Sequence, residues 1–371
     1  MIRRFLLLNG LATLGVVLNH AVPWGFIAMF WWTHRYMPVE VPNFDQMGST
    51  TYYVLRAIEQ LIMFSIPAFL FVSGFFVSVT TGRKRRTVAP SMVGNRLLYL
   101  IIPYLLWTAV IFALDFAQGI VYSGQGYLTR ILTGGATPAY YYVPLLTQLY
   151  LLSLLLVPAA RSRPGLLLGI TAVIQLTIQT IIYLDTLQIG LAVIEPLLFL
   201  TPSWFFPGHL FWFTAGIVIG FHTKAFQQFI GRVKWGMVTA VVILFVVGII
   251  EWELILGYSP ADWLSPRNTI IDSLYAIAFI SAFLAFDKLT LPRSKELGDL
   301  GGKSYGVYLV HMPVLELTAR GIYQLIPALL AYQIIMQPIL IVTGLGVPLL
   351  LMAIVNASWS PIRPYYRYIF G

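Results

Sequence analysis

The sequence predicts an all-α membrane protein of about ten transmembrane helices with both termini cytoplasmic. Three observations carry this fold class. Hydrophobic residues make up 58% of the 371 and charged residues only 10%, where a soluble domain carries about 25%. The mean hydropathy is +0.81. The basic residues gather in alternate gaps between long apolar runs. A water-soluble enzyme cannot hide this much apolar surface. A pI near 9.6 invites a nucleic-acid partner, but the basic residues sit on no polar domain, so none is expected. Cysteine is absent, which excludes disulfides, thiolate chemistry and cysteine metal sites.

Backbone polar groups cannot go unpaired in lipid, so the spans are helices or a closed barrel. The runs lack the period-2 alternation of barrel strands, which leaves helices. The first run, 6–31, follows Arg3 and Arg4 like a signal peptide, with small Ala21 after its apolar stretch. No A-x-A-like site follows, and apolar character continues through Trp24, Phe26 and Trp32, so it reads as a retained span. Spans then follow at 57–80, 97–117, 140–160 and 165–184. The run 186–203 is interrupted by Glu195, Pro196 and Pro202 and reads as a partly buried outer loop or half-helix. Runs 204–221, 235–254, 269–286, 304–326 and 331–355 complete one integral domain over 1–371. Residues 356–371 are too few for an appended esterase-like domain, so any second activity is expected from a partner.

Ten spans place 18 of the 23 Lys and Arg on the side of the termini and five on the other, with Arg35, Arg56, Arg130, Arg267 and Arg320 as the five. Three acidic residues share the inner side and eleven the outer, so the formal balance is +15 inside and −6 outside. This is the positive-inside pattern of a plasma (inner) membrane protein, expected to be bacterial. A cationic inner face attracts anionic lipid or an anionic cytosolic ligand.

Ionisable groups inside spans are costly and mark function by default. His20 lies near the middle of the first span. At 3.6 residues per turn, Asn9, Thr13, Val16 and His20 share one face, leading from the inner surface to mid-membrane. An interhelical hydrogen-bonding histidine is the blander reading. Ser304, Tyr308 and His311 share one face of the ninth span, and Pro313 after them is expected to kink it. His209 reads as an interfacial residue, and His34 and His222 as solvated. Ser73-Gly74, within Phe69–Phe75, signals close helix packing or a groove for a ligand's narrow chain. Gly301-Gly302-Lys303-Ser304 resembles a phosphate-binding loop, but position 297 is Leu where that loop needs glycine. No metal-ligand spacing occurs, and no metal is expected.

These segments, in this order, resemble the acyltransferase-3 family of multispanning membrane acyltransferases, across essentially the whole chain. That family carries an Arg, ten residues, then a His in its first span. Here the histidine is His20 and the spacing matches, but position 9 is Asn. Phe69–Phe75 resembles the family's Phe-rich Ser-Gly segment. Arg96-Leu97 with Pro103-Tyr104 and Trp107 resembles the segment after it. Tyr142-Val143-Pro144 with Gln148 resembles the fourth-span motif, where many members have glutamate. Trp212-Phe213 with Gly216 and Gly220 resembles the Gly-spaced sixth span, and Ser304 through His311 the late Ser-Tyr…Tyr-Leu-x-His signature.

The resemblance implies transfer of an acyl group, typically acetyl, from cytosolic acyl-CoA to a hydroxyl of a carbohydrate or other acceptor across the membrane. His20 is the expected general base, or a transient acyl carrier, with Ser304, Tyr308 and His311 orienting the thioester or stabilising the oxyanion. Asn9, Ser73, Arg83, Arg85, Arg86, Arg96 and Lys303 are candidates for binding the anionic donor. Glu59, Gln148, Asp272 and Glu316 are candidates on the acceptor side, since carboxylates accept hydrogen bonds from sugar hydroxyls. With Asn9 in place of arginine, either Arg3 or Arg4 supplies the missing charge or donor binding differs. A transporter or flippase is the main rival. It predicts internal repeats and helices broken at mid-membrane, for which Pro144, Pro207 and Pro313 are the available breakers. A non-catalytic scaffold explains the apolar bulk but not the polar stripes.

Overall fold

A computed structural model describes residues 2–82, 85–264, 269–286, 288–289 and 291–371, and among them every regular element is helical. In chain order they are α1 (Ile2–Phe30), α2 (Thr50–Ile62), α3 (Ser65–Thr81), α4 (Pro90–Ala117) and α5 (Gly124–Thr133). Next come α6 (Tyr142–Ser162), α7 (Pro164–Thr186), α8 (Leu191–Ile194), α9 (Leu210–Phe221) and α10 (Thr223–Tyr258). The last are α11 (Ile270–Ala285), α12 (Ser294–Gly302), α13 (Ser304–Leu325), α14 (Gln333–Asn356) and α15 (Tyr366–Phe370).

Helix falls on every predicted run, but not every helix qualifies as a span. Seven helical stretches among the described residues are long and apolar enough to cross a membrane, against the ten expected. The difference has a physical cause. The apolar stretches Phe206–Phe221 and Ile270–Ala285 are short. The 12 residues of α9 rise only about 18 Å, against a hydrocarbon core of about 30 Å. α13 has the length but carries His311, Glu316 and Arg320, which lower its apolar character. The chain is a multi-pass membrane protein, and these seven stretches are its candidate crossings among the described residues.

The second predicted span, 57–80, is two helices across 50–81. Ser49 caps α2, its hydroxyl accepting from the Tyr52 N–H at 3.2 Å. The helix breaks at Met63 and Phe64, because Pro67 in the next turn has no N–H to continue the ladder. Ser65 Oγ donates back to the Ile62 carbonyl at 2.7 Å and seals the break. Pro313, by contrast, lies inside an unbroken α13. Pro144 falls in the first turn of α6, and Pro207 in the 3-10 turn Phe206–His209 that precedes α9.

Position in the bundle follows apolar coverage. α1 is buried all round and meets α2, α3, α12, α13 and α14. α10 is peripheral, burying only Ile230, Gly248 and Trp252 of its 36 residues. α3 and α9 touch backbone to backbone: a Cβ at Gly74 would stand 2.0 Å from the Phe213 carbonyl oxygen, and one at Gly216 the same distance from that of Phe71. Residues 186–203 hold α8 and a 3-10 turn, with Ile194 buried against Ile178 and Ile181 of α7, and Phe199 exposed.

Candidate active site

Two cavities enter the bundle from opposite ends. The inner one, about 520 Å³, opens beside the first turns of α1, α4 and α13. Its polar wall is Asn9, Ser73, Asn95, Arg96 and Ser304, and much of the rest is aromatic, including Phe69, Phe76, Tyr142 and Tyr150. Asn9 Nδ2 donates to the Gly301 carbonyl at 2.7 Å and to Ser304 Oγ at 2.9 Å, tying α1 to the α12–α13 junction. Arg96 is the cation in this wall; its Nη2 donates to the Phe76 carbonyl at 3.1 Å and to Thr80 Oγ1 at 2.9 Å. In Ser73-Gly74, Gly74 packs on α9, as the close-packing reading expects, and Ser73 lines the cavity.

The outer cavity, about 810 Å³, is lined by Asn19, His20, Glu59, Asp185, His209 and a set of aromatic rings that includes Trp24, Trp31 and Trp263. The two cavities share Ile66 and Tyr308 among their lining residues. At this level the His20 ring lies 5.3 Å from that of His311, centroid to centroid. His311 Nδ1 is 2.7 Å from the Tyr308 carbonyl and 3.2 Å from that of Val307. Carbonyls only accept, so Nδ1 carries the hydrogen and Nε2 keeps a lone pair. That Nε2 is buried with no hydrogen-bond partner. The Tyr308 hydroxyl donates to the Ala139 carbonyl, and Tyr140 returns a bond to the Leu309 carbonyl at 2.6 Å. The segment before α6 is thereby clipped to α13, and the Tyr308 ring is held between Tyr305, at 5.9 Å, and Tyr142, at 5.6 Å.

A buried histidine nitrogen that keeps a lone pair, beside the level at which the two cavities share lining residues, can take a proton from a hydroxyl brought to it. A family model described as an acyltransferase domain matches residues 6–356. The chain belongs to the acyltransferase-3 family. Family membership makes it an acyltransferase and implies an acceptor hydroxyl. No curated protein and no solved structure matches it.

Within this acyltransferase, the sequence candidates divide by place. His20, Tyr308 and Glu59 line the outer cavity, and Asn9, Ser73, Arg96, Ser304 and Tyr308 the inner. Arg83 lies outside the described residues. Arg85, Arg86 and Lys303 are exposed beyond the inner cavity wall. Neither Arg3 nor Arg4 replaces the family arginine in that wall. Arg3 donates to Ser294 Oγ at 3.0 Å, and Arg4 to the Phe283 and Leu289 carbonyls at 3.0 and 3.1 Å.

On the acceptor side, Asp272 sits behind Glu59 rather than in the outer cavity, capping α11 and accepting from Gln60 Nε2 at 3.1 Å. Gln148 donates to the Trp204 carbonyl at 2.7 Å, bracing the turn before α9. Glu316 pairs with Arg320 at 2.8 Å along α13, away from both cavities. Among the described residues, no three His, Asp or Glu side chains gather as a metal site requires.

Three contributors escape the sequence reading. His209 lines the outer cavity with its ring over Tyr141, 6.5 Å between centroids. Ile66 has no chemical signature. Arg56, expected on the outer surface, is buried in an ion pair with Glu59 at 2.5 Å. Its guanidinium lies 4.2 Å from the Trp252 ring, 4.6 Å from Trp263 and 4.9 Å from Phe26. The Arg56–Glu59 spacing of three, one helical turn, was the available clue.

Proposed function

We propose that the protein transfers an acyl group, acetyl in the first instance, from cytosolic acyl-CoA to a hydroxyl of a carbohydrate or similar acceptor, in a bacterial inner membrane. The bundle then crosses that membrane ten times with both termini in the cytosol. The observation that carries the reading is the pair of cavities that share Ile66 and Tyr308, with His20 lining the outer one and the buried His311 ring 5.3 Å behind it. The thioester enters through the inner cavity, where Asn9, Ser73 and Ser304 offer hydrogen bonds and Arg96 a positive charge. The acceptor enters the outer cavity, where Glu59 and His209 accept from its hydroxyls and Trp24, Trp31 and Trp263 offer faces to stack on.

His20 takes the proton of the acceptor hydroxyl. The oxygen attacks the thioester carbonyl, the carbon–sulfur bond breaks, and His20 returns the proton to the CoA sulfur. His311, its Nδ1 hydrogen committed to backbone, keeps a second proton-accepting nitrogen beside His20. Tyr308 positions rather than donates, because its hydrogen already serves Ala139.

The break between α2 and α3 is the one feature that favours a transporter. Liposomes holding purified protein, labelled acetyl-CoA and a panel of hexoses and amino sugars decide between them. Labelled ester with stoichiometric CoA release is expected. Sugar uptake with no acetyl-CoA consumed would establish the transporter instead.

A further inference from the structure

We infer that Ile66 is the partition between the two chambers, the side chain that keeps water of the acceptor side away from the donor thioester. The inference rests on the reading of the two cavities as donor and acceptor chambers. Two residues line both. One, Tyr308, is pinned by its hydrogen bond to Ala139 and by flanking rings, so it forms a fixed wall. The other, Ile66, is half-buried and carries no polar atom on its side chain to pin it.

Its position is built. Ile66 follows the break at Met63 and Phe64, so its backbone is aimed by the offset between α2 and α3 rather than by one straight helix. The neighbouring Ser65 is buried and locked to Ile62, and α1 abuts it: a Cβ at Gly15 would stand 2.0 Å from Ser65 Oγ. An aliphatic branch at this point offers water no hydrogen bond and closes the passage by volume. Its absence admits water to the thioester. Water oxygen then bonds to the acyl carbon, the carbon–sulfur bond breaks, one proton goes to the CoA sulfur, and free acid leaves in place of ester.

The natural chain has no cysteine, which permits a test that needs no substrate. Ser73→Cys reports the inner chamber and Ser203→Cys the outer. A membrane-impermeant maleimide is applied to the bilayer face on which residues 201–203 lie. Ser203→Cys is expected to react with either residue at position 66. Ser73→Cys is expected to react roughly tenfold faster with Ile66→Ala than with Ile66 intact, and at an intermediate rate with Ile66→Val, which carries the test if the alanine variant does not fold. Equal rates across the three overturn the partition.

In the chain without either cysteine, where Ser73 is intact, acetyl-CoA hydrolysis without acceptor is expected to rise roughly tenfold with Ile66→Ala. A labelling contrast with no acetyl-CoA consumed by any variant keeps the partition and removes the acyl-CoA reading. Consumption without a labelling contrast does the reverse.

Discussion

At the scale of single residues, the site is a pairing of two helices at two levels. Asn9 with Ser304 ties α1 to α13 at the inner end, and His20 with His311 joins them deeper. His20→Ala is expected to lower acyl transfer by about 10²–10⁴-fold, the usual contribution of a positioned base. Full transfer by the folded variant removes His20 from the mechanism. Glu59 carries a different load. Glu59→Ala leaves the Arg56 charge buried without its carboxylate, at a cost of about 3–5 kcal/mol, read as a lowered unfolding midpoint in detergent. Replacing both partners with Arg56→Met and Glu59→Leu is expected to recover much of that loss, since it removes the unpaired charge. His20, Ser304 and His311 were legible because imidazoles and hydroxyls at helical spacing inside apolar runs are costly unless used. Arg56 and His209 were hidden by their proximity to a span's end, where a charged or amphipathic residue is ordinary. Ile66 was hidden because an isoleucine in a membrane helix carries no signal at all.

At the scale of elements, the sequence marks where helices lie better than how they meet. Apolar runs locate α4 and α7, although α4 begins at Pro90, ahead of the expected 97, and Pro67 explains the break that a hydropathy reading smooths over. What no periodicity reveals is that α9 has only 12 residues and is held by close contact with α3. That contact depends on missing side chains. Gly216→Val drives a branched side chain into the Phe71 carbonyl, which a backbone inside a packed helix cannot vacate. A loss of about 3 kcal/mol, the upper end of overpacking costs, is expected. The same measurement on Gly231→Ala in α10, where an added Cβ meets nothing within 4 Å, is expected to show no loss. Equal destabilisation by the two would mean that α3 and α9 are not in register as described. Because Ser73 stands beside Gly74, a shift of α3 on α9 also moves the inner cavity wall, so Gly216→Val is expected to weaken donor binding in whatever folded fraction remains.

For the whole molecule, the balance of +15 on one side and −6 on the other that ten spans predict and the placement of the terminal segments bear on the same question. The inner cavity is lined both by Asn9, from the start of α1, and by Gly371, after α15. α15 packs on α4, α13 and α14, with Trp107 Nε1 donating to the Ile369 carbonyl at 2.9 Å. Both terminal segments thus border one cavity, which accords with the even number of crossings in the proposed topology. Seven apolar helices alone would be odd. The shorter α9 and α11 and the more polar α13 make up the difference only if neighbouring helices shield them, which their burial within the bundle provides. Single cysteines in the cysteine-free chain test this. Arg3→Cys, Lys295→Cys and Arg363→Cys are expected to react with an impermeant maleimide from the cytosolic face, and Ser123→Cys and Ser203→Cys from the opposite one. Reaction of Arg3→Cys and Arg363→Cys from opposite faces would mean an odd count. It would also detach the charge asymmetry from the positive-inside rule and leave the direction of acyl transfer without its electrostatic support.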